Sequence, residues 1–182
     1  MARIIKTIAL VSLILTGVFA FVYSSFKSAA ALSIAISCGT TAYHFCMRLL
    51  VGTVYDLAFH NNIDHRRKWF APRKWEAPLY RAIKVKKWKG RMPSYAPENF
   101  DPERHSLEEI AGAMCQAELV HETIAVLSLL PIAAVPFWGE FAVFFVTSLG
   151  AAAFDMAFAV MQRYNRPRII RLADRKRRLA AE

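Results

Sequence analysis

Phe141 to Met161 reads FAVFFVTSLGAAAFDMAFAVM, a stretch in which Asp155 is the only charged residue. A helix crosses the roughly 30 Å hydrocarbon core of a bilayer with about 20 apolar residues, so this stretch has the length and composition of a membrane span. Working back from it, Gly139-Glu140 makes a turn, and a second apolar run extends from Glu118 through Pro131 to Trp138. Two more lie near the N-terminus. Ile4 to Ser25 has Lys6 near its start, and Ala29 to Phe59 is longer and more polar, with His44, Arg48 and Asp56 inside it. The expected fold is an all-α integral membrane protein of four transmembrane helices, with a basic-aromatic cytoplasmic loop and an amphipathic C-terminal tail. Its parts are residues 1–59 (helices 1 and 2), 60–117 (loop and cap), 118–162 (helices 3 and 4) and 163–182 (basic tail).

Composition agrees with that division. Of 182 residues 55% are hydrophobic, with 24 Lys and Arg against 14 Asp and Glu and a formal net charge of +10. Soluble domains carry about 45–50% apolar residues spread evenly, whereas here apolar blocks alternate with charged ones. A water-soluble two-domain enzyme, a disordered chain and a collagen-like repeat are excluded. Cys38, Cys46 and Cys115 have no paired metal spacing and read as free thiols.

Lys and Arg collect in cytoplasmic loops, and their distribution orients the four helices. Of the 24, Arg3 and Lys6 lie at the N-terminal start, 12 lie between His60 and Ala117 and eight follow Met161. Lys27 stands alone in the first turn, Arg48 is inside the second helix, and the turn from Phe137 to Glu140 has none. Both termini and the central loop are therefore expected on the cytoplasmic side of the cell membrane. The first segment also resembles a signal peptide, with a basic start and small residues at Ser28 to Ala31, but its apolar run exceeds the usual ~7–15 residues, which favours a retained helix.

Ionisable side chains inside a membrane helix cost about 2.5–3.5 kcal/mol on insertion scales, and they face a partner, a bundle interior or a wet cavity. His44 and Arg48 are four apart and share a helical face; Arg48 can pair with Asp56 or Asp155. Glu118 and His121 are three apart and share another face. Two readings stand for Glu118 and His121. One is an acid–base pair at the membrane surface, the carboxylate holding the imidazole's tautomer; the other is a structural ion pair. Glu-x-x-His is also half of a di-iron site, but no second copy is present, so no metal and no cofactor is expected. No Gly-x-Ser-x-Gly elbow marks a nucleophilic serine, and His60 and His65 around Asp64 read as solvated.

From Asp64 to Tyr95 the loop reads DHRRKWFAPRKWEAPLYRAIKVKKWKGRMPSY. Basic residues interleaved with aromatics suit an anionic leaflet or the phosphates of a coenzyme carrying an acyl group. Single-stranded nucleic acid takes the same pattern, yet tethering between membrane helices argues against it. Ser106 with Glu109 has the form of a capping box opening a helix that runs into the third span. Pro167 is expected to end or kink the fourth, and IIRLADRKRRLAAE, the tail beyond it, reads as a basic amphipathic helix on the membrane.

Lys87-Trp88-Lys89, Ala117-Glu118-Leu119-Val120-His121 and Met161-Gln162-Arg163-Tyr164-Asn165-Arg166-Pro167-Arg168 together resemble the glycosyl-4,4'-diaponeurosporenoate acyltransferase family. The resemblance runs from about Trp69 to Arg178. It implies a small membrane enzyme that attaches a fatty acyl chain to the sugar of a glycosylated carotenoid. Two positions depart from the pattern: Gln116, where an Arg is usual, and Glu122, where an aromatic usually follows the histidine.

The expected function is therefore O-acyl transfer to the hydroxyl of a glycolipid or glycosylated isoprenoid at the cytoplasmic leaflet. The partners are membrane lipid, a fatty acyl donor such as acyl-CoA or acyl carrier protein, and the amphiphilic glycosylated acceptor, with no nucleic acid. His121 is the expected base, with Glu118 orienting it. Arg163, Tyr164, Asn165, Arg166 and Arg168 are expected to bind substrate or the developing oxyanion. Lys87, Trp88, Lys89, His44 and Arg48 complete the expected substrate-binding set. Another membrane transferase, such as a methyltransferase, or a non-catalytic accessory protein would use the same polar residues differently.

Overall fold

A computed structural model describes residues 2–181, and every regular element among them is helical. In chain order these are α1 (Ala2–Phe26), α2 (Ala29–Phe59), α3 (Glu76–Ala82), α4 (Val85–Trp88), α5 (Leu107–Leu127), α6 (Val135–Trp138) and α7 (Phe141–Ala181), with short 3-10 turns between them. Four helical stretches are long and apolar enough to cross a membrane: Arg3–Phe26, Ala29–Phe59, Leu107–Trp138 and Phe141–Ala180. These make the chain a multi-pass membrane protein. Leu10, Ile14 and Phe21 on α1 and Phe145, Val146 and Leu149 on α7 remain exposed, as side chains that meet lipid do.

The chain forms two compact units. One comprises the residues up to Thr53 together with Thr123–Asp155; the other comprises Val54–Glu122 and the chain from Met156 onward.

In the first unit, several hydroxyls of the apolar helices are satisfied locally. The hydroxyls of Thr16, Ser37, Thr40 and Thr41 each donate to the carbonyl four residues back, at 2.7–2.9 Å, which keeps them from presenting bare donors to hydrocarbon. Tyr43 donates to the Leu127 carbonyl at 2.8 Å, a group left over where α5 ends and the prolines Pro131 and Pro136 prevent a regular continuation. Ser33 donates to the Glu140 carboxylate. The expected turn at Gly139-Glu140 is present, both residues having positive φ (70° and 48°).

The second unit is built on α5. Ser106 and Glu109 form the expected capping box: the Glu109 N–H donates to Ser106 Oγ (3.2 Å) and the Ser106 N–H to Glu109 Oε2 (2.7 Å). α5 then runs without a break past Glu118 and His121. Gly112 lies against the chain that leaves α2: a Cβ there would meet the carbonyl oxygens of Asn61 at 3.0 Å and Ile63 at 3.3 Å. One turn on, Gln116 accepts the Asn61 N–H at 2.8 Å. Ile63, Phe70 and Cys115 form a buried core, with Leu119 packed on it.

Pro167 does not end the fourth span. α7 continues through it to Ala181, so the basic tail is the same helix prolonged. Proline removes the N–H that would reach the Arg163 carbonyl, a loss of about 3 kcal/mol in a helix that stands alone. Here the side chains of Arg163 and Arg166, on the N-terminal side of the proline, are tied to other elements of the unit, and that anchoring holds the backbone helical.

Candidate functional site

Glu118 projects from the middle of α5 and is fully buried. A carboxylate without water needs charged partners, and α7 supplies two from positions three apart, which share a face. Arg163 Nη1 donates to Glu118 Oε1 at 2.6 Å, and Arg166 Nη1 donates to Glu118 Oε2. The remaining donors of both arginines are directed at the loop. Arg163 Nε meets Glu76 Oε1 at 2.7 Å, and its Nη2 meets the carbonyls of Trp69 (3.1 Å) and Ala71 (3.3 Å). Arg166 Nη2 donates to the Phe70 carbonyl at 2.8 Å, and its guanidinium lies over the Phe70 ring, 4.8 Å from the centroid. Glu76 is held in the first turn of α3, where the helix dipole favours a carboxylate, and accepts the Tyr80 hydroxyl at 3.1 Å.

Two carboxylates and two guanidiniums thus balance inside the unit. The arrangement joins α5, α7, α3 and the turn at Lys68–Phe70 through a single set of charge-assisted bonds. Burial, with the charge and hydrogen bond of Glu76 next, pushes the Tyr80 phenol well above its ordinary pKa.

His121 lies one turn along α5 from Glu118. Its half-buried ring is stacked on Phe158, with centroids 4.7 Å apart and planes 13° from parallel. Glu122, beside it, accepts the Trp69 indole N–H at 3.1 Å. Gln116 and Glu122 therefore both have structural partners, Asn61 and Trp69.

A further group surrounds Tyr164. Lys89 Nζ lies 5.0 Å from the centre of its ring and donates to Asn165 Oδ1. The Arg168 guanidinium is 4.7 Å from the same centre, with Nη2 donating to the Tyr164 hydroxyl at 2.9 Å. Tyr80 meets the ring edge-on at 5.5 Å. Trp88 donates to the Ile83 carbonyl at 2.9 Å and so shapes the turn, while Lys87 is exposed.

In the first unit Arg48 pairs with Asp155, the second of its two expected partners, and also donates to the His44 carbonyl at 3.3 Å. Asp56 is exposed. His44 is buried, and neither ring nitrogen has a hydrogen-bond partner among the described residues.

Among the residues picked out from sequence three groups form: Glu118 with Arg163 and Arg166; Lys89 with Tyr164, Asn165 and Arg168; His44 with Arg48; His121 lies on Phe158, and Lys87 and Trp88 fall outside these groups. Sequence reasoning missed Glu76, although it is the one carboxylate among the basic residues from Arg66 to Arg91. Tyr80 and the backbone carbonyls of Trp69, Phe70 and Ala71 carry no signal in the sequence. No three His, Cys, Asp or Glu among the described residues gather closely enough to hold a metal ion.

The model of the glycosyl-4,4'-diaponeurosporenoate acyltransferase family matches residues 66–175. The chain belongs to that family. The matched region holds every member of the buried ion network, His121, and the group around Tyr164, whereas His44 and Arg48 lie outside it. Membership makes acyl transfer the general activity. No curated protein and no solved structure matches the chain.

Proposed function

We propose that this protein transfers a fatty acyl group to a hydroxyl of a glycolipid or glycosylated isoprenoid at the cytoplasmic leaflet. The observation that carries the reading is the family match over residues 66–175, the region that builds the buried network beside His121. The placement of Lys and Arg supports that leaflet: 22 of 24 lie at the termini or in the central loop. The exposed apolar faces of the helices accommodate the tails of donor and acceptor.

Acyl transfer from a thioester needs a base for the acceptor hydroxyl and an acid for the leaving group. His121 does both. Its imidazole takes the hydroxyl proton as the oxygen attacks the acyl carbonyl carbon; the tetrahedral intermediate then collapses, the carbon–sulfur bond breaks, and the imidazolium returns the proton to the leaving thiolate. Stacking on Phe158 fixes the plane of the ring. Glu118 serves as a positioning residue. Its carboxylate holds Arg163 and Arg166, which lock α7 and the loop around the stretch of α5 that carries His121.

Lipid mass spectrometry of a host deleted for the gene, then restored with wild type or His121→Ala, tests this. Wild type should return an acylated lipid mass that deletion removes. His121→Ala should return it at a rate lower by about 10²–10⁴-fold, the range of a general acid–base group, with the thermal unfolding midpoint preserved. Full restoration by His121→Ala removes the assignment.

A further inference from the structure

The second unit is rich in cations, and most of those near the network are committed. Arg163 uses Nε, Nη1 and Nη2 on Glu76, Glu118 and two carbonyls, and Arg166 is spent on Glu118 and the Phe70 carbonyl. A surface cavity of about 300 Å³ is lined by Arg66, Arg67 and Arg177, but Arg177 is paired with Glu108 at 2.7 Å and Asp174 shares the lining. The cations around Tyr164 differ. Lys89 and Arg168 both lie within 5.0 Å of the centre of one aromatic ring, Lys86 adds its charge to theirs, and no carboxylate pairs with any of the three among the described residues.

Holding like charges together without a counter-ion is unfavourable. The effect is visible on Lys89, whose ammonium is pulled below its ordinary pKa by burial first and then by Arg168 and Lys86. The side chains are nevertheless fixed in place, Lys89 by Asn165 and Arg168 by the Tyr164 hydroxyl. That hydroxyl accepts from Arg168 and keeps its own hydrogen to donate. A compact ammonium, a planar guanidinium fork and a phenol O–H on neighbouring elements are the donors that a phosphate's oxygens require.

We infer that Lys89, Tyr164 and Arg168 form a seat for a phosphate group. Resting on the acyl-transfer reading, this phosphate belongs to the acyl donor, and its seat lies on α7 and the basic loop, apart from the saturated Glu118 network. The same chemistry is offered by a phospholipid headgroup, and the test separates the two sources.

The full chain in phosphatidylcholine nanodiscs is titrated with coenzyme A by calorimetry at low salt. Wild type should bind. The double variant Lys89→Gln with Arg168→Gln should weaken binding by about tenfold or more, because a hydrogen bond to a charged group is worth upwards of a decade. Arg175→Gln with Lys176→Gln, an equal charge change farther along α7, should weaken it by less than about twofold, as screened surface charge does. All three proteins should unfold at the same temperature.

Equal weakening by both doubles, or none by either, overturns the seat. In nanodiscs containing phosphatidylglycerol, native mass spectrometry counts the anionic lipids retained. Loss of one retained lipid in the Lys89/Arg168 double only, with coenzyme A failing to bind wild type, keeps the phosphate seat and assigns it to lipid. Binding of neither probe overturns it. Coenzyme A binding should be unchanged in His121→Ala, so a protein that seats phosphate yet transfers acyl groups normally without His121 breaks the catalytic reading alone.

Discussion

Both units bury an aspartate or glutamate against arginine, and they do so to different degrees of completion. In the second unit Glu118 is divided between Arg163 and Arg166, and the other donors of those arginines reach Glu76 and the carbonyls of residues 69–71. Of these arginines' nitrogens, only Arg166 Nε lacks a hydrogen-bond partner among the described residues. In the first unit Arg48 answers Asp155, but the imidazole of His44, one turn from Arg48, is buried with both nitrogens unpartnered among the described residues. Replacing a buried ion pair by apolar residues is often neutral, while removing one member of it is strongly destabilising. A saturated network therefore acts as a lock on geometry. An incomplete one leaves hydrogen-bonding capacity unused, at a desolvation cost.

The sharpest break of this contrast is Glu118→Leu. It leaves Arg166 without a carboxylate in the interior and takes one of the two from Arg163, and should cost about 3–5 kcal/mol, the range for orphaned buried charges, read as a fall in unfolding free energy in bicelles. A loss below about 1 kcal/mol would show that water reaches the network and that it is no lock. Arg166→Lys comes next: lysine keeps the charge but cannot bond Glu118 and the Phe70 carbonyl through one planar fork. The expected loss is about 1.5–3 kcal/mol, the worth of a hydrogen bond to a charged group.

How much of this could be read in advance depends on what fixes each feature. The four spans follow from length and apolarity, which are local properties, and the capping box at Ser106 and the turn at Gly139 are local too. Glu118, Arg163 and Arg166 stand out as charges at a membrane boundary, but their pairing does not, because three-residue spacing puts His121 on the same face as Glu118. The pairing across 45 to 48 residues is set by how α5 packs on α7, which no short motif encodes. Pro167 shows the converse: local propensity argued for a helix end or a kink, and with anchored side chains upstream of it the helix does not end there. Glu76 was hidden because a lone acid in a basic run looks like surface charge until its burial is known.

Tyr80 gives a smaller effect with a pH signature. Tyr80→Phe removes one hydrogen bond to the Glu76 carboxylate and should cost about 1.5 kcal/mol at neutral pH, the low end for a charged acceptor. The phenol's pKa is raised in the folded protein, chiefly by burial, so the neutral form is the one favoured by folding. Its contribution is complete below the ordinary phenol value of about 10 and is lost as pH rises beyond it. Wild type should therefore lose stability above about pH 10 faster than Tyr80→Phe, when the unfolding of both is compared across alkaline pH. Parallel curves would mean that Tyr80 ionises as freely in the folded chain as in the unfolded one.

The smallest effect is expected at His44, and its smallness is what makes it informative. Replacing a buried polar group that lacks partners with an apolar one of similar reach removes a desolvation cost without breaking a bond. His44→Leu should therefore leave stability within about 1 kcal/mol of wild type, on the stabilising side. Glu118→Leu, equally buried and equally apolar, should do the opposite, and the difference between the two variants measures saturation directly. If His44→Leu instead costs about 2 kcal/mol or more, the imidazole holds a hydrogen-bond partner in the membrane, and the first unit is as complete as the second. If stability is kept while acyl transfer falls, that partner arrives with the substrate, and the unused capacity in the first unit is a place for a polar group on an otherwise apolar ligand.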